Sequence, residues 1–286
     1  MKHFFLIANR QNEHAGRLME EAASLIRSYE GCTAVTDPKS LSNGHTAPSD
    51  VPKDTEVVLV FGGDGTIIRA VRDLKPLSLP LLGVNAGTLG YLAETDPEDL
   101  ESTIRLLRDG TFFVEERMML SGRIVREETA GTEKETTVYE DVGLNDIVLS
   151  GRENTRLLSY SVFVDGEFLK SYKADGLILA TPTGSTAYNL SAGGPIAMPS
   201  ADMMLLTPLN AHTLMSRTIV LPGSSLVRVK LSEKSGVNAV VHYDGGVFSG
   251  ILPGDVIEIR RAEEHAHLIR LRRDSFTEIL SKKLEN

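Results

Sequence analysis

The segment with the clearest chemical pattern is GGDGT, residues 62–66, which lies directly between an apolar run and a segment with helical spacing. Glycines in such a turn let backbone N–H groups approach a phosphate, and the start of the helix favours negative charge. An acidic side chain there needs another role, so Asp64 could orient a metal ion or accept a proton from an attacking hydroxyl. The alternative is that Asp64 merely caps the helix. Neither the P-loop motif nor a well-placed dinucleotide fingerprint is present to explain this turn.

A second pattern is the polar pair Asn145-Asp146, which is embedded among the apolar residues Val142, Leu144 and Ile147. Polar groups between strand residues are costly unless they are hydrogen-bonded. Such a pair could bind both hydroxyls of a ribose, or it could satisfy buried backbone groups. From these residues alone both interpretations stay open.

A third pattern follows Asp175-Gly176 and a short apolar strand at residues 177–180. Residues 181–188, TPTGSTAY, concentrate hydroxyl groups that could bind polar ligand atoms, and Tyr188 offers an aromatic face. Threonine and serine are also common turn residues, which is the structural alternative. The next run, residues 189–195, indicates close backbone packing.

Strands and helices alternate in the first third of the chain. Short apolar runs predict strands at residues 4–8, 33–36, 57–61 and 81–84. Apolar residues at helical spacing predict helices at 16–29, 67–74 and 97–108, the last with Asp96 as its N-cap. Residues 37–55 contain three prolines and many turn formers, so we expect a mobile loop or lid with little to bury.

The pattern changes near Val114 and indicates a β-rich segment from about 118 to 260. Residues 159–164 and 167–171 flank Asp165-Gly166, a typical hairpin turn. Residues 226–231 alternate strictly between apolar and polar positions, and apolar runs at 237–241 and 256–259 predict further strands. A last helix is expected at 276–284.

These patterns predict an α/β plus all-β chain with two domains. The N-terminal one is expected to be a Rossmann-like α/β domain of residues 1–115, joined by the C-terminal helix 274–286. The other is expected to be a β-sandwich-type domain of residues 116–262, which carries the Asn-Asp pair and the TPTGSTAY segment.

Composition excludes several classes of protein. The 286 residues are 41% hydrophobic and 24% charged, which is typical of a globular protein and not of a disordered or fibrous one. The net charge of −9 argues against nucleic acid as a partner, because phosphate attraction dominates that binding. The single cysteine, Cys32, excludes an intramolecular disulfide. The apolar start of the chain is too short for a signal peptide or a membrane span, so we expect a cytoplasmic protein without a membrane partner.

In this order and separation, GGDGT, the Asn145-Asp146 pair and DGLILATPTGSTAYNLSAGGPI at 175–196 resemble the NAD kinases. The likeness covers nearly the whole chain, including TLGYL at 88–92. It implies phosphoryl transfer from ATP to the 2′-hydroxyl of the adenosine ribose of NAD, which yields NADP. GGDGT alone is less specific, since diacylglycerol kinases, sphingosine kinases and phosphofructokinases have similar turns.

The resemblance also implies roles for individual residues. Asp64 is expected to accept the proton, and the substrate-binding positions are Asp64, Gly65, Arg69, Tyr91, Asn145, Asp146, Arg156, Lys173, Asp175, Thr186, Ala187, Tyr188, Asn189, Leu190 and Ser191. Within this set, the Asn-Asp pair holds adenosine hydroxyls or the base edge, and Tyr91 lines the adenine pocket. Lys173 is expected to pair with Asp175 or with a pyrophosphate oxygen. Two departures from the family pattern are Gly246, where glutamine is common, and Asp146, where glutamate is frequent.

The resemblance further implies that Mg²⁺ arrives with ATP, because the sequence has no obvious dedicated metal cluster. We expect His242, which lies near Asp244, to be an ordinary strand histidine. NAD and ATP are the implied substrates, and by analogy the chain is expected to form a homodimer or homotetramer. Whether NADH or polyphosphate is also used stays open.

Two other functions fit part of the sequence. A lipid kinase of the diacylglycerol type would reuse GGDGT, but it also predicts a basic or apolar membrane-facing surface that the sequence does not indicate. A sensor that binds NADP without turnover would gain little from Asp64 beside phosphates.

Overall fold

The computed structural model describes residues 1–9, 11–37, 45–87, 90–127, 135–151, 157–211, 217–232, 239–248, 250–272 and 275–284. The chain forms two compact units. Unit 1 comprises Met1–Arg117 and Glu264–Asn286, and unit 2 comprises Met118–Glu263. Within the ranges that the structure describes, every helix is too short or too polar to cross a membrane.

Unit 1 begins as an alternation of strands and helices, with a parallel sheet at its centre. In chain order the elements are β1 (His3–Ala8), α1 (Glu13–Ser28), β2 (Thr33–Thr36), β3 (Val57–Gly62), α2 (Asp64–Leu74), β4 (Leu81–Asn85), β5 (Ala93–Thr95), α3 (Leu100–Asp109) and β6 (Phe113–Glu127). The sheet order is β2-β1-β3-β4, all parallel. The strand order therefore reverses between β1 and β3, which is where open α/β sheets bind their ligands.

The core of unit 1 explains why these segments form a doubly covered sheet. β3 is buried at all six positions, as expected for a parallel strand with both faces covered. Apolar residues of α1, α3 and the strands form one cluster, which includes Phe4, Ile26, Phe61 and Ile104.

Unit 2 is an antiparallel sandwich. Its elements are the second part of β6, then β7 (Glu135–Gly143), β8 (Asp146–Gly151), β9 (Leu158–Val164), β10 (Glu167–Ala174), β11 (Gly176–Ala180), the short helix α4 (Tyr188–Ser191), β12 (Met203–Leu209), β13 (Ile219–Pro222), β14 (Val227–Leu231), β15 (Ala239–Tyr243), β16 (Gly246–Phe248) and the first part of β17 (Val256–Arg270). One sheet has the order β13-β12-β11-β8-β15-β16. Strands β10, β9, β14 and β17 pair in that order in the other sheet.

The two sheets of unit 2 share one hydrophobic core. The alternation in β14 buries Val227, Val229 and Leu231, which join residues of β8, β11 and β12 in this cluster. The hairpin between β9 and β10 turns through Asp165 and Gly166, both at positive φ, as its sequence predicts.

Unit 1 is completed by the end of the chain. Leu268 of β17 pairs in parallel with Leu81 of β4, and β17 is followed by α5 (Ser275–Leu284). The predicted fold class is thus confirmed, with a Rossmann-like α/β part and a β-sandwich part.

Two local predictions need correction. Asp96 is the N-cap residue of a 3-10 turn at Pro97–Asp99 that leads directly into α3, but its side chain makes no capping hydrogen bond and accepts one from Asn85 instead. The proline-rich segment also buries more than expected: Val51 is in the core, and the buried Thr46 hydroxyl donates to Asp37 at 2.6 Å. Residues 38–44 of that segment lie outside the described residues.

Candidate functional site

GGDGT lies at the carboxyl end of β3, beside the point where the strand order of unit 1 reverses. Gly62 ends the strand, Gly63 is the N-cap of α2, and Asp64 is the first residue of that helix. A Cβ at Gly62 would lie 2.5 Å from the Thr66 hydroxyl, so glycine is needed there for packing. Gly63 and Gly65 have open space beside them in the structure, and their φ angles are not positive. The protein itself therefore gives no steric reason for these two glycines.

Asp64 is not the N-cap residue of α2, because Gly63 takes that position. Its carboxylate instead accepts two backbone hydrogen bonds, from Tyr91 N at 2.8 Å to Oδ2 and from Leu92 N at 3.0 Å to Oδ1. The capping alternative is wrong for this reason. An ionised carboxylate has about four acceptor positions, so each oxygen keeps a lone pair for another group.

The loop that holds Asp64 comes unusually close to it. A Cβ at Gly90 would lie 2.0 Å from Asp64 Oδ1, which is far inside van der Waals contact. Only glycine at this position lets the backbone approach and present both N–H groups. The preceding residues 88–89 of TLGYL lie outside the described residues.

Tyr91 is partly buried against the last helix of unit 1. Its ring lies 6.1 Å from the Phe276 ring, and Lys283 Nζ lies 4.4 Å from the Tyr91 ring centroid. Burial, with a smaller contribution from the Asp64 charge, raises the pKa of the Tyr91 hydroxyl. The tyrosine therefore stays neutral at physiological pH.

Arg69 is exposed on α2, five residues after Asp64. Five residues correspond to a rotation of about 140° around a helix axis, so the two side chains leave α2 on different faces.

In unit 2, the Asn145-Asp146 pair is at the start of β8, and its backbone is held by a third residue, Asp244. The Asp244 carboxylate accepts hydrogen bonds from Leu144 N at 2.7 Å, Asn145 N at 2.8 Å and Asp146 N at 3.1 Å. Directly after β11, Thr181 N donates to the Asn145 carbonyl at 2.8 Å. The backbone of the pair is thus satisfied by its neighbours, and its side chains are not required for that task.

The two side chains of the pair differ in environment. Asn145 is partly exposed, whereas Asp146 is 6% exposed. Burial and the nearby Asp244 charge raise the pKa of Asp146 from 3.8 to about 7. The Asp146 carboxyl group therefore changes its charge within the physiological pH range.

The TPTGSTAY segment forms a 3-10 turn at Thr183–Thr186 followed by α4. Several of its polar groups bond to the protein itself: the Thr181 hydroxyl donates to the Leu144 carbonyl at 2.6 Å, and the Ser185 hydroxyl accepts from Ala197 N at 3.0 Å. Asn189 is fully buried, donates to the Pro195 carbonyl at 3.1 Å and accepts from the Thr207 hydroxyl at 2.7 Å. These side chains therefore stabilise the turn itself, which was the structural alternative for the TPTGSTAY segment.

The remaining predicted residues of this segment are more accessible. Thr186 and Ala187 are partly buried, and Tyr188, Leu190 and Ser191 are exposed.

At the other end of β11, Asp175 and Lys173 are both exposed, and Asp175 accepts a hydrogen bond from Asn210 at 2.9 Å. Lys173 makes no ion pair with Asp175 in the described part of the chain, and its pairing with a pyrophosphate oxygen stays a prediction. Arg156 lies outside the described residues.

The sequence interpretation missed the residues that hold the site. Asp244 had a usable signal, because Asp244-Gly245 is a typical hairpin turn and both residues have positive φ. The interpretation considered it only as a neighbour of His242. That histidine lies in β15 and bonds Ser150 at 3.0 Å, as expected of a strand histidine. Phe276 and Lys283 had no signal, because their contact with Tyr91 joins distant parts of the chain.

Comparison with known proteins gives two family models that match this sequence. One is the ATP-NAD kinase N-terminal domain, over residues 4–112, and the other is the ATP-NAD kinase C-terminal domain, over residues 144–271. An NAD kinase of Agathobacter rectalis is 40% identical over 291 residues, which covers 100% of this chain and 99% of the relative. An NAD kinase of Carboxydothermus hydrogenoformans is 42% identical over 281 residues, which covers 96% of this chain and 97% of the relative.

Solved structures give the same fold. Yeast NADH kinase complexed with NADH matches with a TM-score of 0.87 at 24% identity, and the match covers 100% of this chain and 88% of the yeast chain. An NAD kinase from Archaeoglobus fulgidus in complex with ATP matches with a TM-score of 0.74 at 23% identity, and the match covers 98% of each chain.

Proposed function

This chain belongs to the ATP-NAD kinase family, and we propose that Asp64 is the base in its phosphoryl transfer. The reaction is that of an NAD kinase: ATP donates a phosphoryl group, and NAD accepts it on the 2′-hydroxyl of the adenosine ribose to give NADP. Family membership favours this reaction over a lipid kinase. The hydroxyl is a poor nucleophile, so it needs a base within roughly 2.6–3.2 Å.

The observation that supports this role is the way Asp64 is held. Two backbone N–H groups fix the carboxylate and leave acceptor positions on both oxygens. As the phosphorus–oxygen bond to the acceptor forms and the bond to ADP breaks, the hydroxyl proton passes to this carboxylate. Positioned base catalysis contributes about 10²–10⁴-fold, and the remainder comes from orientation and charge stabilisation.

The glycines of the turn fit a phosphate ligand. Gly63 and Gly65 have open space where side chains would project, next to the first turn of α2. Backbone N–H groups at a helix start favour an anion, and the missing side chains let it approach. We assign this part of unit 1 to phosphates of the bound nucleotides.

Unit 2 supplies the groups that recognise the acceptor. With its backbone already satisfied by Asp244 and Thr181, the Asn145-Asp146 pair has side chains available for adenosine hydroxyls or the base edge. Thr186, Ala187 and the exposed Tyr188 are assigned to further contacts with the dinucleotide, as are Asp175 and Lys173. Asn189 is assigned a structural role.

Mg²⁺ is proposed as the metal cofactor. The described residues contain no group of three or more His, Cys, Asp or Glu side chains that could hold a metal ion. In enzymes that transfer phosphoryl groups, Mg²⁺ binds mainly through substrate phosphates and water. When bound with ATP, it would neutralise charge on the triphosphate. The cytoplasmic location and the assembly into a homodimer or homotetramer stay predictions. Light scattering of the purified protein tests the oligomeric state.

The decisive experiment combines product identification with one variant. Purified protein is incubated with ATP, Mg²⁺ and NAD, and we expect NADP and ADP as products. The variant Asp64→Asn should lose nearly all turnover while its affinity for NAD changes by less than about tenfold, since the amide keeps the shape but accepts no proton. A variant with more than about a tenth of the wild-type kcat would exclude Asp64 as the base. Wild-type protein that binds NADP without forming it would favour the sensor function.

A further inference from the structure

The last helix of unit 1 contacts the residue that orients the proposed base. Phe276 and Lys283 are seven residues apart on α5, about two helical turns, so they project from one face of the helix. Both touch the ring of Tyr91, Phe276 at a centroid distance of 6.1 Å and a tilt of 38°, and Lys283 at 4.4 Å from its ammonium nitrogen. The Tyr91 ring thus has an aromatic and a cationic neighbour from the same helix.

The backbone of Tyr91 links the ring contacts with α5 to the Asp64 carboxylate. Tyr91 N donates to Asp64 Oδ2, and the next residue, Leu92, donates to Oδ1. The Leu92 carbonyl in turn accepts a long hydrogen bond of 3.4 Å from Arg270 at the end of β17. The short segment that orients the carboxylate is therefore held by its ring and by its backbone, in both cases from the C-terminal part of unit 1.

The Lys283 contact is not needed to explain the fold of the segment. Lys283 is on the last turn of α5 and only partly buried, and a cation over a tyrosine ring adds about 0.5–1 kcal/mol at an exposed position. Such a contact is too weak to determine whether unit 1 folds, but it is strong enough to bias the orientation of one side chain.

We infer that Phe276 and Lys283 are positioning residues for the reaction, which hold the Tyr91 ring and thereby fix the N–H group that orients Asp64. This inference rests on the proposed role of Asp64 as the base. Neither residue is assigned a contact with substrate. Because a displacement of about 1 Å at a reacting group costs up to about 10²-fold in rate, loosening Tyr91 should lower kcat.

The first test compares two adjacent lysines of α5. Lys283→Ala should lower kcat by roughly 2–5-fold, with the KM for ATP within about twofold of the wild type. Lys282→Ala removes the same charge from the next position and should leave kcat unchanged. If both variants behave alike, or if Lys283→Ala raises the KM for ATP instead of lowering kcat, the inference is overturned.

The second test asks whether the effect passes through the Tyr91 ring. Phe276→Ala should lower kcat as Lys283→Ala does, and Phe276→Tyr should restore it because it keeps a ring at this position. In a Tyr91→Leu background, Lys283→Ala should have no further effect on kcat, since the ring that it acts through is gone. An effect of full size in that background contradicts positioning through Tyr91. Thermal unfolding midpoints identify any variant that fails to fold, and Lys283→Ala alone then decides.

Asp64→Asn is measured in the same series and separates the two proposals. If Asp64→Asn is inactive while Lys283→Ala and Phe276→Ala keep the wild-type kcat, only the positioning inference fails. If Asp64→Asn retains substantial turnover, the role of the base fails and the inference that rests on it fails too.

Discussion

Asp146 shares its surroundings with a second carboxylate, Asp244. The Asp244 carboxylate accepts hydrogen bonds from three backbone N–H groups, and these bonds stabilise its negative charge. The negative charge of Asp244 in turn disfavours ionisation of the nearby Asp146 carboxyl group. The arrangement divides two tasks between two aspartates. Asp244 holds the backbone, and Asp146 presents a carboxyl group that can donate or accept a hydrogen bond.

Asp146 predicts a specific pH dependence of stability. Its pKa is about 7 in the folded state and 3.8 in the unfolded reference, so between these values the folded protein holds a proton that the unfolded chain has lost. The free energy of unfolding should therefore fall as pH rises from about 4 to 7, by roughly 1–4 kcal/mol from this residue. Urea unfolding at several pH values, for the wild type and Asp146→Asn, measures the difference. Parallel curves for the two proteins would contradict the raised pKa.

At the scale of elements, the loop between β4 and β5 is the part of unit 1 that orients the proposed base. Its close approach to α2 depends on Gly90, where a Cβ would overlap Asp64 Oδ1. Gly87, in the same loop, has open space beside it. The two glycines therefore differ in what a methyl group would meet.

We expect Gly90→Ala to displace the Asp64 carboxylate or the loop and to lower kcat by about 10²-fold or more. Gly87→Ala should keep most of the activity, because its Cβ meets nothing within 4 Å. Steady-state kinetics of the two variants, with circular dichroism to verify the fold, provide the comparison. Equal loss in both would mean that the loop as a whole, and not this contact, is sensitive.

Local patterns were sufficient to predict most elements, because each buried face repeats at the period of its strand or helix. The alternation of residues 227–231 and the apolar run at 57–61 are examples. They were insufficient for β17, which continues from Ile259 to Arg270 through RRAEEH, where only Ala262 marks the buried face. The contact of Asp244 with Leu144 spans 100 residues, and that between Tyr91 and Phe276 spans more, so no local spacing encodes them.

At the scale of the whole molecule, unit 1 is discontinuous in sequence. The chain leaves it after Arg117 and returns at Glu264. A buried ion network joins the two stretches: Arg270 contacts Glu94 and Glu115, both at 2.9 Å, and Glu115 also contacts Arg117 at 2.7 Å. The side chains of Arg270 and Glu94 are almost fully buried, so water does not stabilise their charges and each charge is stabilised by the opposite charge beside it.

Removing one member of this network should destabilise unit 1. Glu94→Gln leaves Arg270 with one carboxylate partner instead of two, and we expect a loss of about 2–4 kcal/mol in the free energy of unfolding. Glu101→Gln makes the same substitution in an exposed pair with Arg105 and should cost less than about 1 kcal/mol. Chemical denaturation followed by circular dichroism compares the two variants. A similar small effect in both would show that burial of the network contributes little.

The discontinuity of unit 1 has a consequence during synthesis. Residues 118–263 leave the ribosome between the two stretches of unit 1, which at about 5–20 residues per second takes roughly 7–30 s. Over that time β4 lacks its partner from β17, and Tyr91 lacks the helix that covers its ring. A nascent chain can therefore fold the sandwich before its α/β unit is finished, and the α5 residues that contact Tyr91 are the last to assemble. The contact of α5 with the Tyr91 ring therefore forms only after this helix has been translated.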